Sequence, residues 1–342
     1  MLYKMLALVG QAFFLCVTLS PQNSWYMRNS TLDLFKFIAC FLVVFIHSEL
    51  SFEGHSYLLL LCRAAVPFFF MITGFYYPGI IARQKEKAYF KRILNLVWLP
   101  VILYALLVFK MLPDLTMKDF WYWAGLNVMP FGGHLWYLFA LLYVLVIVGL
   151  VKPLIYSKKA LYGSIFLISV NYLLSFQEDI FLYRNFLFTG LPYFLLGSYL
   201  YQKKEVIADS GLSTGKFLAV LIGLMGALAL EYRLYGAMNL LAERDHYLML
   251  YPLCGWIFCY AIRRPDRGGE LSSLGQKYCT SVYVYHLMVI MVSDRVVMML
   301  GNPEVFMAVR RTVIYPLLVL VITMFMVAVF RYGKALSKRM FS

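Results

Sequence analysis

The sequence predicts an all-α, polytopic membrane protein of about ten transmembrane helices, and three observations carry that prediction. Of 342 residues, 62% are hydrophobic and only 14% are charged, too few charges to clothe a water-facing surface. The apolar residues gather in about ten runs of roughly 18 or more, the length that spans a bilayer as a helix. The connections between these runs are short and hold most of the Lys and Arg.

The chain opens with Met5–Leu19, an apolar run behind Lys4 that has the shape of a signal-peptide core and is short for a span. Cleavage there would place Arg28 outside, against the charge bias described below, and no small-x-small site precedes Pro21. Residues 1–27 are therefore read as an apolar extension or interfacial segment, with an eleventh span as the alternative. A transmembrane domain over 28–335 and a cytoplasmic tail over 336–342 complete the chain.

Within the domain, apolar runs and their punctuation place spans near 31–50, 57–81, 93–112, 134–150, 160–176, 184–201, 214–231, 246–262, 281–299 and 311–331. The connection 113–133, with Pro113, Asp114, Lys118, Asp119 and Trp121-Tyr122-Trp123, reads as a segment lying at the membrane interface. If the start of the first span faces the cytoplasm, 22 of the 31 Lys and Arg fall on the inner side, including Arg83, Lys85, Lys87, Lys91 and Arg92. That bias favours ten helices with both core termini inside. It also explains the net charge of +14 without nucleic acid, since the charges form no stripe with interleaved aromatics. The six cysteines (Cys16, Cys40, Cys62, Cys254, Cys259, Cys279) contain no CxxC pair and read as buried small hydrophobes, so no metal site is expected.

Ionisable groups in hydrocarbon cost roughly 2.5–3.5 kcal/mol each at mid-helix, so those that persist are functional candidates. In the first span, Asp33 and Lys36 lie near the inner end, and His47 and Glu49 near the outer end. Lys36 and His47, eleven residues apart, project from one helix face about 16 Å apart along the axis. Asp33 and Lys36 read either as an inner-boundary ion pair or as functional groups. His47 reads either as an interfacial histidine or as a general base that takes a proton from an attacking hydroxyl, oriented by Glu49 or another carboxylate.

Arg63 precedes Val66-Pro67-Phe68-Phe69-Phe70-Met71-Ile72-Thr73-Gly74-Phe75 in the second span. Pro67 frees a backbone carbonyl and Gly74 permits close helix approach, which predicts a kinked, tightly packed helix. Gly132-Gly133-His134-Leu135-Trp136 opens the fourth span on the outer side, where a belt of aromatics or a polar cavity lining would both suit. Arg184-Asn185 and Gly190–Gly197 repeat the pattern in the sixth. No phosphate loop, H-E-x-x-H or G-x-S-x-G elbow is present.

Taken together, these segments resemble the acyltransferase-3 family of membrane O-acyltransferases from Met27 to about Phe330. The segments concerned are Leu32–Ala39 leading to His47, Arg63–Phe75, His134-Leu135-Trp136-Tyr137-Leu138, Arg184–Gly197 and Ser281-Val282-Tyr283-Val284-Tyr285-His286. The resemblance implies ten core helices, an acyl-CoA donor (acetyl-CoA commonest) entering from the cytoplasm, and acceptor hydroxyls on lipid-linked or surface sugars. It also implies His47 as catalytic residue. Two positions depart from the family pattern: Lys36 stands where Arg is the hallmark, replacing a bidentate fork by a point charge, and Asn95 stands where the first inner loop usually repeats Arg92.

The expected function is transfer of an acyl group, acetyl above all, from acyl-CoA to a glycan hydroxyl at the bacterial inner membrane. His47 with Glu49 serves as base, Lys36, Arg92 and Asp33 as the donor side, and Arg63, His134, Trp136 and Arg184 as the acceptor side. The basic 83–92 loop would dock the anionic nucleotide end of CoA. A secondary transporter or a membrane sensor or uptake module of the same architecture is the competing reading, although the spans show no matched repeat of interrupted helices.

Overall fold

The computed structural model describes residues 29–48, 50–51, 54–108, 116–128, 133–177, 179–211, 213–238, 240, 246–300 and 303–340; segment 1–27, Cys16 and Glu49 lie outside them. Among the described residues every regular element is a helix, as the uniform apolar patterning requires. Each of the ten predicted spans overlaps helix. Six stretches of the described residues are long and apolar enough to cross a membrane, namely His55–Ala82, Glu86–Leu107, Gly133–Leu150, Thr214–Ala237, Leu271–Met299 and Ile314–Tyr332, with mean hydropathy from 1.5 to 2.2. The protein is a multi-pass membrane protein.

Helix α1 (Ser30–Ile46) starts on Asn29, whose side chain accepts from Leu32 N. This end is tied to a distant connection: Asn29 Nδ2 donates to Ala261 O (2.7 Å), Ser30 Oγ to Pro265 O (3.0 Å), and Thr31 Oγ1 to Arg264 O. In return, Arg267 N and Gly268 N donate to Thr31 Oγ1 and Ser30 Oγ. These side chains, together with Thr31 N donating to Pro265 O (3.3 Å), one of the donors a helix start leaves unsatisfied, register α1 against the stretch 261–268.

The second predicted span is broken into α2 (His55–Cys62) and α3 (Ala65–Ala82). The break at Arg63–Ala64 sits one turn before Pro67, because Pro67 has no N–H to give the Arg63 carbonyl and its ring crowds that carbonyl. The expected kink therefore puts Arg63 itself at the corner. Helix α4 (Glu86–Val108) begins seven residues before the predicted span, so Arg92 is on a helix and not in a loop. Lys, Glu and Arg are good helix formers, and the α-helix continues past the hydrocarbon edge that hydropathy detects.

Helix α5 (Met117–Leu126) occupies the expected interfacial connection and buries none of its residues, leaving Trp121 and Trp123 exposed. Thr116 and Asp119 close its first turn in a capping box, which holds the Asp119 carboxyl below its usual range. Helices α6 (Trp136–Leu150), α7 (Lys159–Leu174), α8 (Leu191–Gln202), α9 (Lys204–Ala208), α10 (Thr214–Ala237) and α11 (Leu250–Arg263) follow. A π-helical turn, Phe186–Gly190, leads into α8. Glu231 on α10 accepts from Leu248 N (2.7 Å), Met249 N (3.0 Å) and Tyr235 Oη (3.0 Å), so this intramembrane carboxylate caps the start of α11. Helix α12 (Leu271–Leu300) starts ten residues before its predicted span, and α13 (Pro303–Arg310) and α14 (Ile314–Met340) end the chain, α14 running through most of the segment expected as a tail.

Two helix pairs form the centre, and glycine sets both. A Cβ on Gly74 (α3) would lie 2.0 Å from Phe194 O, and one on Gly197 (α8) 2.1 Å from Met71 O, so α3 and α8 touch backbone to backbone at reciprocal positions. A Cβ on Gly275 (α12) would lie 2.0 Å from Asp33 O, which brings α12 equally close to α1. Phe70, Met71, Val144, Tyr193, Phe194, Phe258 and Tyr285 fill the core between the pairs. Large apolar side chains such as Trp98, Ile222 and Phe325 stay exposed around the rim, the surface a bilayer would cover.

Candidate active site

Contact between α1 and α12 brings together residues far apart in sequence. His47 ends α1 as its C-cap. Beside it lie His286 of α12, ring centroids 5.1 Å apart, and His134 of the 3-10 turn Gly133–Leu135, centroids 6.4 Å apart. His134 and His286 are themselves 5.3 Å apart, so the three imidazoles form a closed cluster. His134 and His286 are buried, and His47 is partly buried. Arg184 and Arg63 are close enough for their charges to act on His47. The corner made by Pro67 delivers Arg63, and the chain just before the π-turn delivers Arg184.

One turn of α12 fixes two of the rings. His286 Nδ1 donates to Val282 O (3.0 Å) and Tyr283 O (2.8 Å), and His134 Nε2 donates to Val284 O (3.2 Å). Since a carbonyl only accepts, these contacts place the proton of each neutral ring. His286 Nε2 and His134 Nδ1, the opposite nitrogens, are buried and have no hydrogen-bond partner among the described residues. Tyr283 Oη donates to His134 O, while Tyr104 Oη donates to Val284 O (3.0 Å) and accepts from Met288 N (2.9 Å). Tyr104 also packs edge-on against His134, centroids 4.7 Å apart.

A line of buried and half-buried hydroxyls joins this cluster to the other end of the bundle. Arg92 lies beside Tyr89, and Tyr89 and Tyr137 both lie beside Thr73. The Tyr137 ring then meets Tyr283 at 5.3 Å, and Tyr283 meets His134 and His286 at 6.2 and 6.3 Å. Buried hydroxyls of this kind persist only where they are satisfied or used.

The expected site residues thus separate. His47, His134, Arg63 and Arg184 converge at one place, and Glu49 lies outside the described residues. Trp136 instead packs on Phe70, centroids 6.2 Å apart, and its carbonyl accepts from Asn127 Nδ2 (3.4 Å), a place in the wall behind the cluster. Lys36 lies toward the start of α1, where its carbonyl accepts from the Cys279 thiol (3.3 Å) and its charge reaches Cys40; Asp33 touches Gly275 through its backbone.

Sequence reasoning had singled out Ser281–His286 as a segment without giving His286 a role, and it missed Tyr104, Tyr283 and Thr73. For His286 the signal was available, as a histidine within an apolar run. For the others nothing in the chain separates a working hydroxyl from an ordinary aromatic or Thr. No group of three or more His, Cys, Asp or Glu side chains among the described residues could hold a metal ion. Two shallow surface depressions, one lined by Glu304, Met307, Ala308 and Arg311 and the other by Lys118, Asp119, Tyr122, Val128 and Phe181, share no residue with the cluster. The chemistry is therefore located by the converging polar groups rather than by these hollows.

A family model described as an acyltransferase domain matches residues 29–331, nearly the whole chain, and the protein belongs to this acyltransferase-3 family. Among curated proteins, the chain is 29% identical over 170 residues to a serine/alanine racemase of Enterococcus gallinarum, covering 48% of this chain and 23% of that protein. It is 31% identical over 217 residues to an amino-acid racemase of Enterococcus faecalis, covering 52% of this chain and 30% of that protein. The chain thus spans less than a third of the length of these two racemases. No solved structure matches.

Proposed function

We propose that the protein moves an acyl group, acetyl foremost, from acyl-CoA on the cytoplasmic side to a hydroxyl of a cell-surface or lipid-linked glycan, with His47 as general base. One observation carries this: His47 sits among two buried imidazoles and two arginines, at the end of a hydroxyl line that reaches Arg92. In the reaction the acceptor hydroxyl gives its proton to His47 as its oxygen attacks the thioester carbonyl. The C–S bond then breaks, and the proton is returned to the thiolate. Arg63 and Arg184 supply positive charge for the oxyanion or for an anionic acceptor. Arg92, with Lys36 and Asp33 on the same side, serves the anionic nucleotide end of the donor, while Glu49 assists His47. Ten spans with both core termini in the cytoplasm of a bacterial inner membrane put Arg92 inside and His47 near the outer face, and the distribution of Lys and Arg supports that arrangement.

Replacing His47 with Ala is expected to abolish transfer of labelled acetyl from acetyl-CoA to the membrane glycan fraction in vesicles, with insertion and yield unchanged. Retained transfer removes His47 from the reaction. The similarity to two amino-acid racemases supports a second reading, in which the bundle handles an amino acid as an uptake or sensor module. Vesicles that accumulate labelled serine but transfer no acetyl group would decide for it.

A further inference from the structure

We propose that His286 is a positioning residue whose bare Nε2 accepts a hydrogen bond from His47 and so decides which nitrogen of His47 is free to act as base. The inference rests on His47 being that base, and it replaces dependence on a carboxylate with an imidazole pair.

The geometry is specific. His286 is wholly buried, and both contacts of its Nδ1 are backbone carbonyls, which hold the proton on Nδ1 and leave the lone pair of Nε2 exposed to the cluster. A buried acceptor without a partner is costly in hydrocarbon, and the imidazole with the shortest centroid separation from it, 5.1 Å, is His47. A neutral imidazole carries one N–H. If that N–H is given to His286, the other nitrogen is bare and can take the proton of an attacking hydroxyl. After proton abstraction both nitrogens of His47 carry hydrogen, and the bond to His286 spreads the new charge. The arrangement does with an imidazole what an orienting carboxylate does for a histidine base elsewhere. It suits a site already crowded by two arginines, because a neutral acceptor forms no ion pair that could capture either guanidinium. His134 resembles it with the ring reversed: Nε2 is held by Val284 O and Nδ1 is bare, but its ring lies farther from His47, at 6.4 Å.

The chain has five histidines, few enough for each to be followed by 15N-histidine NMR of the full-length protein in bilayers. The expected spectrum shows His286 with its proton on Nδ1 and His47 as a single tautomer. In His286→Phe, His47 is expected to populate both tautomers, and kcat for acetyl transfer to the glycan fraction to fall about 100-fold with KM for acetyl-CoA little changed. His286→Gln, whose amide oxygen can still accept, is expected to recover a large part of that loss and to restore the single tautomer. An unchanged His47 spectrum in His286→Phe overturns the proposal, as does a folded His286→Gln protein no better than the Phe variant. Loss of the base reading is seen separately, as transfer that survives His47→Ala.

Discussion

Thr73 occupies the middle of the hydroxyl line, beside Tyr89 toward Arg92 and beside Tyr137 toward the histidines, with its own hydroxyl donating to Phe69 O at 3.0 Å. Val has nearly the same shape and no hydroxyl. A lost hydrogen bond is worth roughly 0.5–1.5 kcal/mol, so Thr73→Val is expected to slow acetyl transfer about tenfold, the ratio that ~1.4 kcal/mol on a barrier produces. A full rate in the purified variant would show that the line is packing alone. At this scale the sequence named the expensive residues and could not rank them. His47 and His286 carry the same signal of a histidine in an apolar run, and only the fold shows that the two meet. Trp136 shows the opposite error: its neighbour His134 joins the cluster, while Trp136 turns one step along the helix and packs on Phe70.

Among the helices, the α3–α8 and α1–α12 pairs carry the positions on which everything else depends. Gly74 and Gly197 each leave no room for a Cβ against the partner backbone, so Gly74→Ala and Gly197→Ala must separate α3 from α8 or bend one of them. Overpacking of this kind typically costs about 1–3 kcal/mol. Gly226, within α10, meets nothing within 4 Å, and Ala there removes a residue that disfavours helix by roughly 0.5–1 kcal/mol. Thermal unfolding followed by size-exclusion in detergent is therefore expected to rank Gly226→Ala at or above the parent and the other two well below it. Equal midpoints would show that the close approach is not needed. The Pro67 break was legible in sequence because the chemistry is local: the missing N–H and the ring act on Arg63 one turn back. The true starts of α4 and α12 were not, because hydropathy marks where a helix is immersed and says little of where it begins.

For the whole molecule, the ten-span arrangement assigns each connection to one side of the membrane. Single cysteines placed in a cysteine-free background at Lys159 and Glu270 are expected to react with an impermeant maleimide only in inside-out vesicles. Cysteines at Trp121 and Glu304 are expected to react only in intact cells. Labelling of Glu270 and Trp121 positions from the same side would overturn the arrangement and with it the placing of Arg92 opposite His47. The proposed direction of transfer depends on the same orientation, with Arg92 and the histidine cluster toward opposite sides.

By itself the sequence determined that this chain is a helical membrane protein, where its apolar segments lie, and which ionisable residues demand a reason to be there. Those properties follow from transfer energies and local sterics, which act on a residue and its near neighbours. Only the tertiary structure decided which of those residues meet. The closure of α12 on α1 is set by Gly275 and by the bonds of Asn29, Ser30 and Thr31 to a connection more than 230 residues away. It is this long-range backbone contact, invisible to periodicity and hydropathy, that puts His286 beside His47.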